Sequence, residues 1–230
     1  MNSRFVDFIR KTVAPYHYPQ YIFARHIIKE LTGKNKLDVI VDAPCGNGET
    51  AFLIAKSLKR KVYAYDISEK CISTAKNNFK NCNVHFEQLD IINLGARHEK
   101  IDVWCIINSL FLFSNAEEIL KLAHNLLDEE GWLVLILPNI HSRNYRNFMA
   151  LYGNVNAFTL QKDEFREYFI QRNFIIYRCC GIVYADFYGR KELKFLSVFA
   201  HFYLISLDYV KRFLNSGEPS YYLLILKKAN

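Results

Sequence analysis

The stretch Val41-Asp42-Ala43-Pro44-Cys45-Gly46-Asn47-Gly48-Glu49-Thr50 places an acid at the end of an apolar run, then two glycines, then residues that open a helix. A turn of this kind brings backbone N–H groups and the positive end of a helix dipole against an anionic or polar ligand. Gly46 and Gly48 supply permissive dihedrals and room for a ligand to approach the backbone. With Ala51 they also satisfy the dinucleotide spacing G-x-G-x-x-G/A, so the glycines alone leave a dinucleotide loop, another nucleoside cofactor and a bare turn all open. Two acids add information. Asp66 stands about twenty residues downstream, where a carboxylate accepts both hydroxyls of a ribose; as a plain turn acid it would instead start the next helix. Asp42 stands directly before the turn, where an acid holds a cationic amine, whereas dinucleotide loops commonly pass from an apolar strand straight into the first glycine.

The elements that must position these residues alternate regularly. An amphipathic helix is predicted over 3–13 and a second from near Pro19 to Gly33, since proline suits a first helical turn and glycine a stop. Strands are predicted at 37–42, 61–66, 83–90, 101–108 and 132–138, and the continuous apolar run at 37–42 is that of a strand covered on both faces. Helices are predicted over 49–59 and over 68–79, the latter capped by Ser68. Another opens on a Ser114/Glu117 capping box and ends at Gly131. Residues 139–158 lack a clean period. A helix at about 161–172, a strand near 174–184, an apolar helical segment over roughly 191–214 and a last strand in SYYLLILKK follow. Five strand–helix alternations predict an open, mostly parallel sheet with helices on both faces, and the two late strands a hairpin-like edge.

The segments VIVDAPCGNGET, YAYDIS, FEQLDI, IDVWCIINSLFLF and GWLVLILP, in that order over about residues 37–138, resemble the class I S-adenosylmethionine-dependent methyltransferases. The resemblance implies an α/β, Rossmann-like doubly wound fold: a seven-stranded, mostly parallel sheet with an antiparallel C-terminal strand and a helical cap. It implies one domain over 1–230, with 1–33 as N-terminal cap, 37–138 as cofactor-binding core and 139–220 as acceptor-binding or lid insertions. The cofactor it implies is S-adenosyl-L-methionine, with S-adenosyl-L-homocysteine as product. Asp42, Ala43, Gly46 and Gly48 would surround the methionine part and Asp66 the ribose. Ile67 would lie against the adenine, with Leu89 and Asp90 at its edge, and Asn108 with Ser109 below the sulfonium. The family loop reads acid-x-Gly-x-Gly-x-Gly; here Pro44 replaces the first glycine, which fixes φ and removes one N–H donor.

Methyl transfer from a sulfonium needs alignment and water exclusion, plus a base when the acceptor must lose a proton. Acceptor-binding residues should come from beyond the C-terminal edge of the sheet, from YHYPQY (16–21), the stretch after the fifth strand and the 191–214 segment. His141, just past the fifth strand, is the candidate base on a hydroxyl acceptor, with Tyr145 and Arg143 orienting an anionic or sugar group. Tyr16, His17, Tyr21 and Arg25 are candidates to cap the cofactor, Arg25 by pairing its carboxylate. Asn108-Ser109-Leu110-Phe111 keeps the ends of the Asn/Asp-Pro-Pro-Tyr/Phe motif of amino methyltransferases but not its prolines, which weighs against a base-modifying enzyme. The expected acceptor is a small molecule or sugar, through oxygen. Nucleic-acid or protein methylation, a nicotinamide-dependent oxidoreductase and a silent nucleoside-binding module are the alternatives.

Bulk properties agree. A net charge of +7 is spread along the 230 residues, and a solvated basic surface explains it better than a nucleic-acid partner. Six cysteines without a CxxC pair read as free thiols in a reducing cytoplasm, and no metal site is expected. The first ten residues carry charges and no apolar signal core, and no apolar run reaches the length of about eighteen residues that spans a membrane. The apolar 191–214 segment is expected to be a buried lid or a homodimer face, or else to meet a lipid-linked acceptor at a membrane surface.

Overall fold

The computed structural model describes residues 18–34, 37–146, 160–184, 206–207, 210–211 and 218–229. The expected helix over 3–13, Tyr16, His17 and most of the 191–214 segment lie outside them. Seven strands form one sheet in the order β3-β2-β1-β4-β5-β7-β6: β1 Ile40–Asp42, β2 Val62–Asp66, β3 Val84–Gln88, β4 Ile101–Ile107, β5 Leu127–Pro138, β6 Phe174–Ile182 and β7 Tyr221–Lys228. The first five pair in parallel, and β7 runs antiparallel between β5 and β6. The chain winds outward from β1 to β3 and then crosses back to β4. That reversal beside β1 is the switch point at which open α/β sheets bind ligands.

Strict alternation of side chains divides the core in two. Val103 and Cys105 of β4, with Val134 and Ile136 of β5, join the cluster beneath α1 (Tyr18–Leu31), α2 (Glu49–Leu58) and α3 (Glu69–Asn78). Trp104, Ile106, Leu133 and Leu135 join the opposite cluster with α4 (Ala116–Leu126) and α5 (Phe165–Ile170). Both faces are thus covered, which is why these strands read as unbroken apolar runs. Phe23 meets Tyr221 edge-on at 4.9 Å, and Glu30 pairs with Arg178 at 2.9 Å, so α1 is fixed across β7 and β6. Asp102 accepts the N–H groups of Asp38 and Val39 at 2.8 Å each and so tethers the entry to β1.

Three sequence expectations are corrected. The Ser114/Glu117 capping box does not form: Asn115 is the N-cap of α4, without a side-chain cap bond to the backbone, and its amide instead meets Glu118 at 3.2 Å. The helix ends at Leu126, not Gly131, because Leu127 already pairs with Ile101; the register then shifts so that Trp132 faces Val103. Gly131 sits in this irregularity, where a Cβ would lie 2.8 Å from the Asp128 carbonyl oxygen and 2.9 Å from that of Ile101. Third, α5 covers only Phe165–Ile170 of the expected 161–172. Of the cysteines, all six are free as expected, but Cys179 is exposed on the edge strand. Among the described residues no helix is long and apolar enough to cross a membrane, and no group of side chains is suited to hold a metal ion.

Candidate functional site

The turn after β1 is shaped by the strands on either side. Ala43 donates its N–H to the Cys105 carbonyl at 3.1 Å, and the Trp104 indole returns a bond to the Ala43 carbonyl at 3.1 Å. Cys45 donates to the Tyr65 carbonyl at 2.8 Å. Pro44, which follows a cis peptide bond, therefore sits between two residues whose amides are already committed. Gly46 and Gly48 adopt φ of 54° and 81°, the left-handed region that favours glycine. Their surroundings differ. A Cβ on Gly48 would lie 2.5 Å from the Phe86 ring, whereas one on Gly46 would meet nothing within 4 Å. Gly48 is required by packing, and Gly46 leaves open space at the backbone.

Asp66, ending β2, reaches back to this turn. One carboxylate oxygen accepts from Gly46 N at 2.8 Å and the other from Ser68 N at 2.9 Å. It thus fixes the loop and the start of α3 together, and each oxygen keeps a lone pair for a further donor. Asp42 is its opposite: 1% exposed, with no hydrogen-bond partner on either oxygen. Burial, and then the neighbouring Asp66 charge, push its pKa from 3.8 up to about 8; the Ala51 N–H opposes this weakly without closing a hydrogen bond. Burial and the Asp42 charge likewise push the Cys45 thiol up, so Cys45 is no nucleophile here.

Two adjoining cavities open at this edge of the sheet. The larger, of about 470 Å³, is lined by Asp42, Gly46, Glu49, Thr50 and Asp66, by Gln20 and Phe23 of α1, and by Ile107, Asn108, Ser109 and Leu112 beyond β4. The smaller, of about 230 Å³, is lined by Tyr65, Leu89, Asp90, Ile91, Ile92 and Asn115. Pro44, Ile67 and Phe113 border both. The larger cavity is within the size range of small-molecule sites. Its lining holds three carboxylates and no lysine, arginine or histidine among the described residues. Five buried side-chain atoms of its lining residues lack a hydrogen-bond partner: Gln20 Oε1, both oxygens of Asp42, Asn108 Oδ1 and Ser109 Oγ. Buried polar groups left unpaired cost about 1–3 kcal/mol each, so this concentration marks a place built for a donor-rich, cationic ligand. A dinucleotide pyrophosphate would meet the wrong sign of charge.

Of the sequence candidates, Asp42, Gly46, Asp66, Ile67, Asn108 and Ser109 line the larger cavity, and Ile67, Leu89 and Asp90 the smaller. Ala43 and Gly48 are buried behind the turn. Asp90 also caps the 3-10 turn Ile91–Ala96, accepting from Ile92 N at 3.3 Å. Tyr21 and Arg25 are exposed and line neither cavity, because Gln20 and Phe23 occupy the inward face of α1. His141 is exposed, with its ring 3.5 Å from Gln161 Oε1, and neither it nor half-buried Tyr145 belongs to either lining. The buried residues of that segment are Asn139, Ser142 and Asn144, and the two asparagines hold Pro219 O at 2.8 Å and Ser220 Oγ at 2.6 Å. Sequence reasoning held Gln20 only as part of the 16–21 segment, and it did not single out Phe23, Leu112 or Phe113. For the first two, the i, i+3 spacing on α1 was an available signal.

A family model described as a methyltransferase domain matches residues 34–173. No curated protein matches the chain. Among solved structures, a chain of the complex formed by the Haloferax volcanii Trm112 methyltransferase activator has a TM-score of 0.65 at 13% identity, with 100% of this chain and 99% of that one covered. The plantazolicin methyltransferase BpumL in complex with SAH has a TM-score of 0.62 at 21% identity, covering 99% and 90%. The magnesium protoporphyrin IX methyltransferase ChlM from Synechocystis PCC 6803, with bound SAH, has a TM-score of 0.61 at 18% identity, covering 92% and 84%.

Proposed function

The chain belongs to the methyltransferase-domain family that its residues 34–173 match, and from that premise we propose that it moves a methyl group from S-adenosylmethionine to a small-molecule acceptor. One observation carries the choice of donor: buried, unpartnered Asp42 in a cavity whose described lining has carboxylates and no cation. S-adenosylmethionine supplies, when bound, an activated methyl group on a sulfonium, and it brings a second positive charge on its α-ammonium. In this reading the ammonium is the partner of Asp42, and the spare lone pairs of Asp66 accept the ribose hydroxyls. Leu89, Ile67 and Asp90 border the adenine. Gly46 gives the ligand access to the backbone, and Asn108 and Ser109 stand at the reacting end. The likeness to BpumL, a plantazolicin methyltransferase, and ChlM, a magnesium protoporphyrin IX methyltransferase, both with SAH, supports a small-molecule acceptor.

The chain's part in the chemistry is alignment and exclusion of water. Phe23, Ile107, Leu112 and Phe113 give the cavity apolar walls, and the sheet edge fixes the polar groups within them. The unpaired cysteines accord with a reducing, cytoplasmic setting. Calorimetric titration with SAH and with NADH tests the reading. Binding of SAH with none of NADH is expected; the reverse would replace methyl transfer by hydride transfer.

A further inference from the structure

We propose that His98, which lines neither cavity, is a positioning residue for the cofactor's nucleoside, acting through Tyr65 in the wall of the smaller cavity. This rests on the methyl-transfer reading above. Two stretches of chain wall that cavity. Tyr65 and Ile67 come from the end of β2, and Asp90, Ile91 and Ile92 from the segment after β3. The stretches meet at one end, where Leu89 donates its N–H to the Asp66 carbonyl at 3.0 Å. Past the 3-10 turn Ile91–Ala96 the segment has left the sheet, and a side chain ties it back.

That side chain is His98. Its Nε2 lies 2.8 Å from the Tyr65 hydroxyl oxygen, and the two rings stand edge to face with centroids 5.7 Å apart. Tyr63, two residues earlier and in the same cluster, meets the His98 ring edge-on at 4.8 Å. The His98 backbone N–H is held by Leu94 O at 3.0 Å, within the turn whose first residues line the cavity. Ring and backbone are thus both fixed, one to β2 and the other to the wall segment. A second tie lies beside it on the exposed side, where Arg97 Nε and Nη2 donate to Glu87 Oε1 at 2.8 and 2.7 Å. Exposed pairs of that kind hold little, so the Tyr65–His98 bond is the effective clasp.

Burial gives the clasp its force. Tyr65 is 2% exposed, and burial pushes its pKa from 10.0 up to about 12, so the hydroxyl keeps its proton and donates it. Burial lowers the pKa of His98, which keeps Nε2 free to accept. His98 is the hydroxyl's hydrogen-bond partner among the described residues. A buried hydroxyl that loses its acceptor must turn until it reaches water, and Tyr65 would then shift in the cavity wall. The wall segment carrying Asp90, Ile91 and Ile92 would lose its tie to β2 at the same time. The disturbance stops at the side chain: the Tyr65 carbonyl still holds Cys45 N at 2.8 Å, so the glycine turn at the methionine end stays in place. Loss of the clasp should therefore weaken the grip on the nucleoside and spare the grip on the amino-acid end.

The test uses the full chain with SAH and with 5′-methylthioadenosine, which shares the nucleoside and lacks the amino-acid end. SAH is titrated first, and its failure to bind the unmodified protein removes the methyl-transfer reading itself. His98→Ala and Tyr65→Phe are each expected to weaken both ligands by the same factor, about tenfold, and the double substitution by no more than either alone. Tyr65→Phe keeps the ring and deletes only the bond, so it reads the clasp even where His98→Ala unfolds. His98→Gln, whose amide can accept at the place of Nε2, is expected to recover affinity to within about threefold. Asp102→Ala lowers stability away from both cavities and should leave both affinities within about twofold, which separates lost stability from lost positioning. With SAH bound by the unmodified protein, unchanged affinities in Tyr65→Phe overturn the proposal. A loss for SAH that 5′-methylthioadenosine does not share, or an equal loss in Asp102→Ala, overturns it as well.

Discussion

Replacing Asp42 by asparagine should stabilise the unliganded protein and weaken cofactor binding at once. Asn has the shape of the protonated acid but cannot ionise. The Asp42 pKa rises from 3.8 to about 8 on folding, mainly through burial and then through Asp66. Between those values the folded protein holds one proton more than the unfolded chain, so stability falls as pH rises, by about 1.4 kcal/mol per unit. From about pH 5 to 7.5 this one group costs about 3 kcal/mol, or about 6–12 °C of Tm for a domain of this size. Asp42→Asn should therefore match the unmodified protein near pH 5 and exceed it by about 3 kcal/mol near pH 7.5. Its SAH affinity should drop about 10- to 100-fold, as expected for a lost charge-assisted bond. Binding carries a further signature. An ammonium pulls the Asp42 pKa down, so SAH should release nearly one proton per site at about pH 6.5, read by calorimetry in buffers of different ionisation enthalpy. The variant should release none. Parallel stability–pH curves for the two proteins, or equal proton release, would refute the reasoning.

Four further substitutions follow from the site and the fold that holds it. Asp66→Ala removes the acceptor of Gly46 N and Ser68 N as well as the proposed ribose contact, and should reduce SAH affinity at least 100-fold by calorimetry; unchanged affinity would take Asp66 out of the site. Gly48→Ala forces a Cβ to within 2.5 Å of the Phe86 ring at φ 81°, and should destabilise by about 1–3 kcal/mol in urea unfolding. The corresponding Gly46→Ala carries only the dihedral cost and should destabilise less while still impairing SAH binding. Asp102→Ala leaves the Asp38 and Val39 N–H groups without their acceptor, and should lower stability by about 1–3 kcal/mol in the same assay.

The fold was legible wherever burial on both faces leaves an unbroken apolar run. All seven strands were expected, and the central ones read plainly because Val, Ile and Leu fill them, but β5 starts at Leu127 instead of 132, and edge strand β3 (VHFEQ) carries no such run. That Asp42, Gly46 and Asp66 meet at one cavity was legible because they hang on strand ends, whose positions follow from the sheet order. Elsewhere the local signal lost to tertiary contacts. Ser114 and Glu117 satisfy a capping pattern, yet the helix starts at Ala116. Gly131 reads as a helix stop, yet pairing of Leu127 with Ile101 ends the helix earlier. On α1 the conspicuous residues Tyr21 and Arg25 drew the reading, while the face toward the cavity carries Gln20 and Phe23. After β5, His141 suggested a base from its residue type and position. The segment instead buries Asn139, Ser142 and Asn144, and its two asparagines bind the chain entering β7.

The acid-lined cavity beside Gly46 is proposed to receive S-adenosylmethionine with its ammonium on Asp42. A crystal structure of the SAH complex tests it most directly. The expected result is SAH across both cavities, its ammonium within hydrogen-bond distance of Asp42 and its ribose on Asp66. SAH bound elsewhere, or in this cavity with its carboxylate turned toward Asp42, would contradict it.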